Sequence, residues 1–178
     1  MLFTPEYIEL NRQMHTANPE FGNHGEQWAD HIRKLVRIYG FTTVLDYGAG
    51  KRNLERALAP KISVTSYDPA IAEIAEHPTG KFDLVVCTDV LEHIEMACID
   101  DVLADLASLT AHSSFLEIAT FKAQKHLPDG TNTHLIVQKG PWWLERIAQH
   151  FVITNVRLVE DRVIVDAGRM KLEVEVAA

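Results

Sequence analysis

The order of apolar and polar positions divides the chain into alternating helix and strand segments. From Glu26 to Tyr39, the residues Trp28, Ile32, Leu35, Val36 and Tyr39 recur at three- and four-residue spacing, which predicts one helical face ending at Gly40. Thr42 to Tyr47 is β-branched and apolar, a short buried strand, and Gly48-Ala49-Gly50 follows as a tight turn. A short helix is expected at Leu54 to Leu58, ended by Pro60. Ile62 to Tyr67 predicts a second strand, stopped by Asp68-Pro69, and Phe82 to Cys87 a third. Met96 to Leu109 is helical by the spacing of Ile99, Val102, Leu103, Leu106 and Leu109. A strand at Phe115 to Phe121 leads into a polar loop, Lys122 to Thr133. Pro141 suits the first turn of a helix with Trp143, Ile147 and Phe151 on one face. The tail from Val152 to Val176 is strand-rich, and Leu172, Val174 and Val176 alternate with Glu173 and Glu175.

Alternating strands and helices predict an α/β fold: a mostly parallel, Rossmann-like sheet with helices on both faces. The tail predicts an antiparallel C-terminal edge. The first 25 residues are polar and turn-rich, with Asn18-Pro19 and Phe21-Gly22-Asn23-His24-Gly25. With 178 residues and 47% hydrophobic content, the chain is expected to form one domain over residues 1–178. The N-terminus has no long apolar stretch, so no signal peptide is expected, and no run is long enough to span a membrane. Two cysteines, Cys87 and Cys98, make no disulfide framework, and a cytoplasmic protein is expected. Cys87 ends an apolar run and reads as a buried small hydrophobe.

Charge narrows the chemistry. The 25 acidic residues outnumber the 17 Lys and Arg, a net charge of −8, which opposes sequence-independent binding to phosphate backbones. His15, His24 and His31 form no tight ligand motif, so no metal is expected.

The most informative segment is Val44-Leu45-Asp46-Tyr47-Gly48-Ala49-Gly50, a buried strand that delivers a carboxylate and then a Gly-x-Gly turn. Open α/β sheets bind ligands outside the carboxyl ends of such strands. A dinucleotide fingerprint would need a third glycine where Asn53 stands, and Asp46 would repel a pyrophosphate. A carboxylate there suits a cationic ligand. The segment resembles the first motif of class I S-adenosylmethionine-dependent methyltransferases. Ser66-Tyr67-Asp68-Pro69 resembles that family's second acidic strand end, and Phe82 to Ile94 its fourth-strand motif. The resemblance implies S-adenosylmethionine as cofactor and S-adenosylhomocysteine as product. It places Asp46, Gly48 and Gly50 at the methionine end, Asp68 on the ribose hydroxyls, and Thr88 and Asp89 as fallback for the adenine. It also implies an N-terminal segment, residues 1–25, that lids the cofactor.

Two departures qualify it. Arg52 replaces the motif's third glycine and is expected to crowd the methionine end. Thirteen residues separate Asp68 from Phe82, so the usual third strand is expected to be missing or vestigial, leaving room for a short helix near Ala70 to Glu76. Near the acceptor, Asp129, Asn132 and His134 read either as groups that orient or deprotonate a substrate or as a polar turn with a helix cap. Asp129 and His134 are the catalytic candidates. Lys122, Lys125 and His126 read as a basic patch for an anionic acceptor or as a solvated loop. His93 and Glu92 are read as packing or loop-fixing, Trp143 as core, and Trp142 as facing the acceptor. The acceptor is expected to be a small molecule. The alternatives are a non-catalytic cofactor-binding module and a nucleic-acid-modifying methyltransferase, the latter lacking an Asn-Pro-Pro-Tyr-type motif. The oligomeric state is left open.

Overall fold

A computed structural model of the protein describes residues 1–169. The alternation of Leu172, Val174 and Val176 lies outside the described residues. Six strands form one sheet: β1 (Val44–Tyr47), β2 (Val64–Tyr67), β3 (Phe82–Thr88), β4 (Thr110–Ala119), β5 (Phe151–Val159) and β6 (Arg162–Arg169). Their order is β2-β1-β3-β4-β6-β5. The first four are parallel, and β6 and β5 add the expected antiparallel edge.

Side chains on successive strand positions point to opposite faces, and both faces are covered. Leu45, Val85, Cys87 and Leu116 pack with helices α4 (Ile99–Leu109) and α5 (Gly140–Ile147). Val44, Leu84, Val86 and Phe115 pack with α2 (Ala29–Tyr39) and α3 (Asn53–Leu58). Parallel strands buried on both faces read as continuous apolar runs, as Phe82 to Cys87 does.

Between Tyr67 and Phe82 the described residues hold no strand, only a 3-10 turn at Ala72–Ile74. The expected loss of a strand is therefore seen, and the expected helix is reduced to one turn. The predicted helix from Glu26 is a 3-10 turn over His24–Trp28 followed by α2. Tyr39 is exposed and stacks on Phe41 instead of joining the buried face. Strand β4 begins at Thr110, five residues before the apolar run, because its polar first half still pairs with β3 and β6.

The polar N-terminus differs most from its sequence reading. It folds as helix α1 (Pro5–Ala17), with Pro5 in the first turn and the Thr4 hydroxyl accepting from Tyr7 N–H at 3.2 Å. Tyr7 and Met14 bury against Leu127, with Phe3, Leu10, Phe21 and Leu135 around them. Helix α1 and the loop after β4 thus form a roof over the carboxyl ends of the strands.

Candidate active site

Strands β1 and β2 are in register, Tyr47 opposite Tyr67, so Gly48 and Asp68 leave the sheet side by side. The chain crosses from β1 to β2 on one side and reaches β3 on the other, a topological switch point. Gly48 and Ala49 N–H both donate to Tyr67 O, at 2.8 and 2.9 Å, which fixes the turn against β2. Gly50, at φ 50°, packs directly on the roof: a Cβ there would run into the carbonyl oxygen of Gly22 and lie 2.8 Å from its Cα. Asp68 is held by two amides, Gly50 N–H to Oδ2 at 3.1 Å and Ala70 N–H to Oδ1 at 3.0 Å. His15 Nε2 from α1 lies 3.9 Å from Asp68 Oδ2.

These groups border a cavity of about 330 Å³ that runs beneath the roof. Gly48, Gly50 and Asp68 line one part, Tyr7, Asn11 and His15 come from α1, and Asp89, His93, His134 and Arg162 line the other end. A smaller adjoining cavity is lined by Asp46, Gly48, Ala49, Thr88 and Asp89. All six expected cofactor residues therefore border one of the two cavities, and Gly48 and Asp89 border both.

Asp46 is buried and lacks a salt-bridge partner among the described residues. Burial, with the charges of Asp68 and Glu55 adding to it, pushes its carboxyl up to about 7. A cation placed beside it would favour its ionised form.

At the other end, His93 fixes the loop. Its Nδ1 donates to Thr133 O at 2.7 Å, and burial lowers its pKa to about 4. His134 Nδ1 donates to Phe121 O at 2.6 Å, and the two imidazoles meet edge to face with centroids 4.8 Å apart. Glu92 is fully buried, accepts Ala119 N–H at 2.6 Å, and is pushed up by burial and by Asp89. Glu117, also buried, pairs with Arg162.

Several sequence expectations take other positions. Asp129 is exposed at the loop tip, accepts Thr131 N–H at 2.9 Å, and does not line the cavity. Asn132 braces the loop through Ala123 and is likewise outside it. Trp142 does not line the cavity and stacks under the Arg146 guanidinium at 4.3 Å, whereas Trp143 is core. Arg52 does not crowd the turn: its guanidinium leaves the cavity to pair with Glu55 at 2.7 Å. Asn11 and Arg162 were not singled out from the sequence. The signal for Asn11 was present in Phe3, Tyr7, Leu10 and Met14, whose 4-3-4 spacing marks a helix. Arg162 carried no local signal.

The family model for a methyltransferase domain matches residues 10–160. No curated protein matches the chain. Among solved structures, the magnesium protoporphyrin IX methyltransferase of Synechocystis PCC 6803 with bound SAH is 17% identical, with a TM-score of 0.62 over 93% of this chain and 97% of that one. The 1,6-didemethyltoxoflavin-N1-methyltransferase of Burkholderia thailandensis, with its substrate and S-adenosylhomocysteine bound, is 19% identical, with a TM-score of 0.66 over 96% and 92%. The N-methyltransferase NodS of Bradyrhizobium japonicum WM9 is 14% identical, with a TM-score of 0.62 over 93% and 100%. With its glycine turn, two acidic strand ends and shortened parallel sheet, the chain belongs to the methyltransferase-domain family, in the class I S-adenosylmethionine-dependent group.

Proposed function

We propose that the protein transfers the methyl group of S-adenosylmethionine to a small-molecule acceptor and releases S-adenosylhomocysteine. The observation that carries this reading is the roofed cavity that joins Gly48, Gly50 and Asp68 to His93 and His134. Its volume, about 330 Å³, is that of a small-ligand pocket. The magnesium protoporphyrin IX and toxoflavin enzymes of like fold are named for small-molecule substrates, which supports the same acceptor class here.

The residues present fit the cofactor. Asp46, buried and without a cationic partner, suits the ammonium of the methionine moiety. Each Asp68 oxygen keeps a lone pair beyond its amide bond, enough to accept from a ribose diol. Thr88 and Asp89, the fallback for the adenine, instead border the same small cavity as Asp46, at the methionine end, so neither is given the adenine role. Residues 1–25 act as the lid, with His15 over Asp68 and Gly22 over Gly50. When bound, S-adenosylmethionine supplies an activated methyl on a sulfonium. The protein supplies orientation and excludes water. His134 carries the proton role in preference to Asp129, since its Nδ1–H is engaged and its Nε2 is left to accept.

Calorimetry with both cofactor forms tests the assignment. The intact protein is expected to bind each, and Asp68→Ala to weaken both by at least about tenfold, the loss of a charge-assisted hydrogen bond. Absence of binding, or affinity unchanged by Asp68→Ala, overturns it.

A further inference from the structure

Asp89, His93 and His134 line the acceptor end of the cavity and meet the fully buried Glu92, which does not itself line it, in an arrangement that methyl transfer alone does not require. Asp89, Glu92, His93 and His134 each offer one ligand atom, and these atoms all lie within 4.8 Å of one another. Two independent observations point to a ligand there.

The first is Glu92. It is fully buried, and while Oε1 accepts Ala119 N–H, Oε2 has no hydrogen-bond partner among the described residues. A buried carboxylate oxygen left unpaired is costly. The second is the orientation of the two histidines. A backbone carbonyl only accepts, so the Nδ1 atoms facing Thr133 O and Phe121 O must both carry the hydrogen. Each Nε2 is then the ring atom left for a ligand. Metal-bound histidines are held from behind in the same way.

Charge agrees with this geometry. The carboxylates of Asp89, Glu92 and Glu117 lie close enough to act on one another, and the guanidinium among them is that of Arg162. His24 Nδ1 stands 3.8 Å from Asp89 at the partly exposed side. Burial pushes the carboxyls of Glu92 and Glu117 up, and a divalent ion would take the place of the proton that Glu92 holds. Asp89 also holds a left-handed backbone, φ 58°, strain of a kind that collects at ligand sites.

We infer that Asp89, Glu92, His93 and His134 form a divalent-cation site at the acceptor end of the cavity. Two imidazole nitrogens with two carboxylates suit a first-row ion such as Mn²⁺ or Zn²⁺ better than Ca²⁺. The sequence expectation of no metal considered His15, His24 and His31, none of which belongs to the cluster.

The inference deepens the proposed function and rests on it for one step, the identity of the acceptor atom. The ion would lower the pKa of an alcohol or phenol oxygen held against it, whose proton would leave to water at the partly exposed His24–Asp89 side. Its lone pair then forms the carbon–oxygen bond as the methyl–sulfur bond breaks, and that bond's electron pair stays on sulfur. His134 is then a ligand, and the ion takes over the activation assigned to it above.

The test uses the full chain stripped with a chelator and titrated with Mn²⁺, free Mn²⁺ being followed by electron paramagnetic resonance and Zn²⁺ added as competitor. One ion per chain is expected. Glu92→Gln and His134→Ala should each weaken binding by at least about tenfold. His112→Ala, at an exposed histidine whose side chain is 67% accessible, should leave it unchanged. If Glu92→Gln fails to fold, His134→Ala decides. The absence of saturable binding, or equal binding by the His134 and His112 variants, overturns the site. Cofactor calorimetry on the same metal-free protein separates the two readings. Cofactor binding without Mn²⁺ binding defeats only the cation site, and Mn²⁺ binding without cofactor binding defeats only the proposed function.

Discussion

The central sheet buries Leu45, Leu84, Val85, Val86, Phe115 and Leu116 completely, whereas the roof over its edge closes on Tyr7, Met14 and Leu127. The sheet has hydrogen-bonded ladders and apolar cover on both faces. The roof is fastened at separate polar points: Thr4 to Glu95, Tyr7 Oη to the His93 carbonyl and Lys51 Nζ to the His15 carbonyl at 2.7 Å, while Lys125 Nζ donates to the Glu20 carbonyl at 2.9 Å and ties its two segments together. A segment with few buried apolar contacts opens at lower free energy than the core it rests on. The difference suits the chemistry, because a cofactor must enter and leave a site that excludes water during transfer.

The comparison is most open to attack through stability. Trp143 is wholly buried in the larger core cluster, so Trp143→Ala should cost about 3–5 kcal/mol of global stability by denaturant unfolding. Met14→Ala removes an apolar anchor of the roof. It should lower the local opening free energy of α1 by about 2 kcal/mol in hydrogen exchange, with a global change below about 1 kcal/mol. Equal global losses for both variants would mean that roof and sheet unfold as one unit.

At the sheet end, the proposed role of Asp46 would couple cofactor binding to pH. Its folded pKa, about 7, lies above its ordinary value of 3.8. The unfolded chain therefore binds fewer protons between those limits, and this group makes the ligand-free protein less stable as pH rises through them. A bound cation favours the carboxylate, so S-adenosylmethionine binding should release a proton below about pH 7 and strengthen up to about tenfold per pH unit toward it. Calorimetry at pH 6 in buffers of differing ionisation enthalpy counts the proton; a zero count removes Asp46 from the ammonium site.

The two regions also differed in how much the sequence revealed. Strands β1 and β3 were legible because burial on both faces favours apolar runs, whereas the edge strand β2, with Thr65 exposed, was marked by β-branched residues and the Asp68-Pro69 stop; the ends of β1 and β2 put Asp46 and Asp68 at readable positions. Helix α1 was hidden because Glu6, Glu9, Arg12 and Gln13 crowd its outer face and mask the spacing of the apolar four. The cation cluster was half visible. Asp89, Glu92 and His93 stand within five residues, but His134 arrives 41 residues later on a loop that only tertiary packing returns to them. Burial decided the rest, since no local pattern tells that Glu92 lacks a partner for one oxygen.

The smallest expected effect concerns Arg52, the residue that breaks the glycine motif. Its backbone is left-handed, φ 60°, a conformation that disfavours a side chain with a Cβ. The position thus keeps the backbone shape that a glycine gives freely, and the Arg side chain leaves the cavity for Glu55. Arg52→Gly relieves the backbone strain but loses an exposed ion pair and loosens the unfolded chain, contributions of opposite sign. The melting temperature should move by no more than about 2–3 °C. Cofactor affinity should stay within about twofold, because nothing on the cavity wall changes. A large gain in affinity would show that Arg52 does obstruct the methionine end, and would return to the sheet edge a constraint that the comparison assigns to the roof.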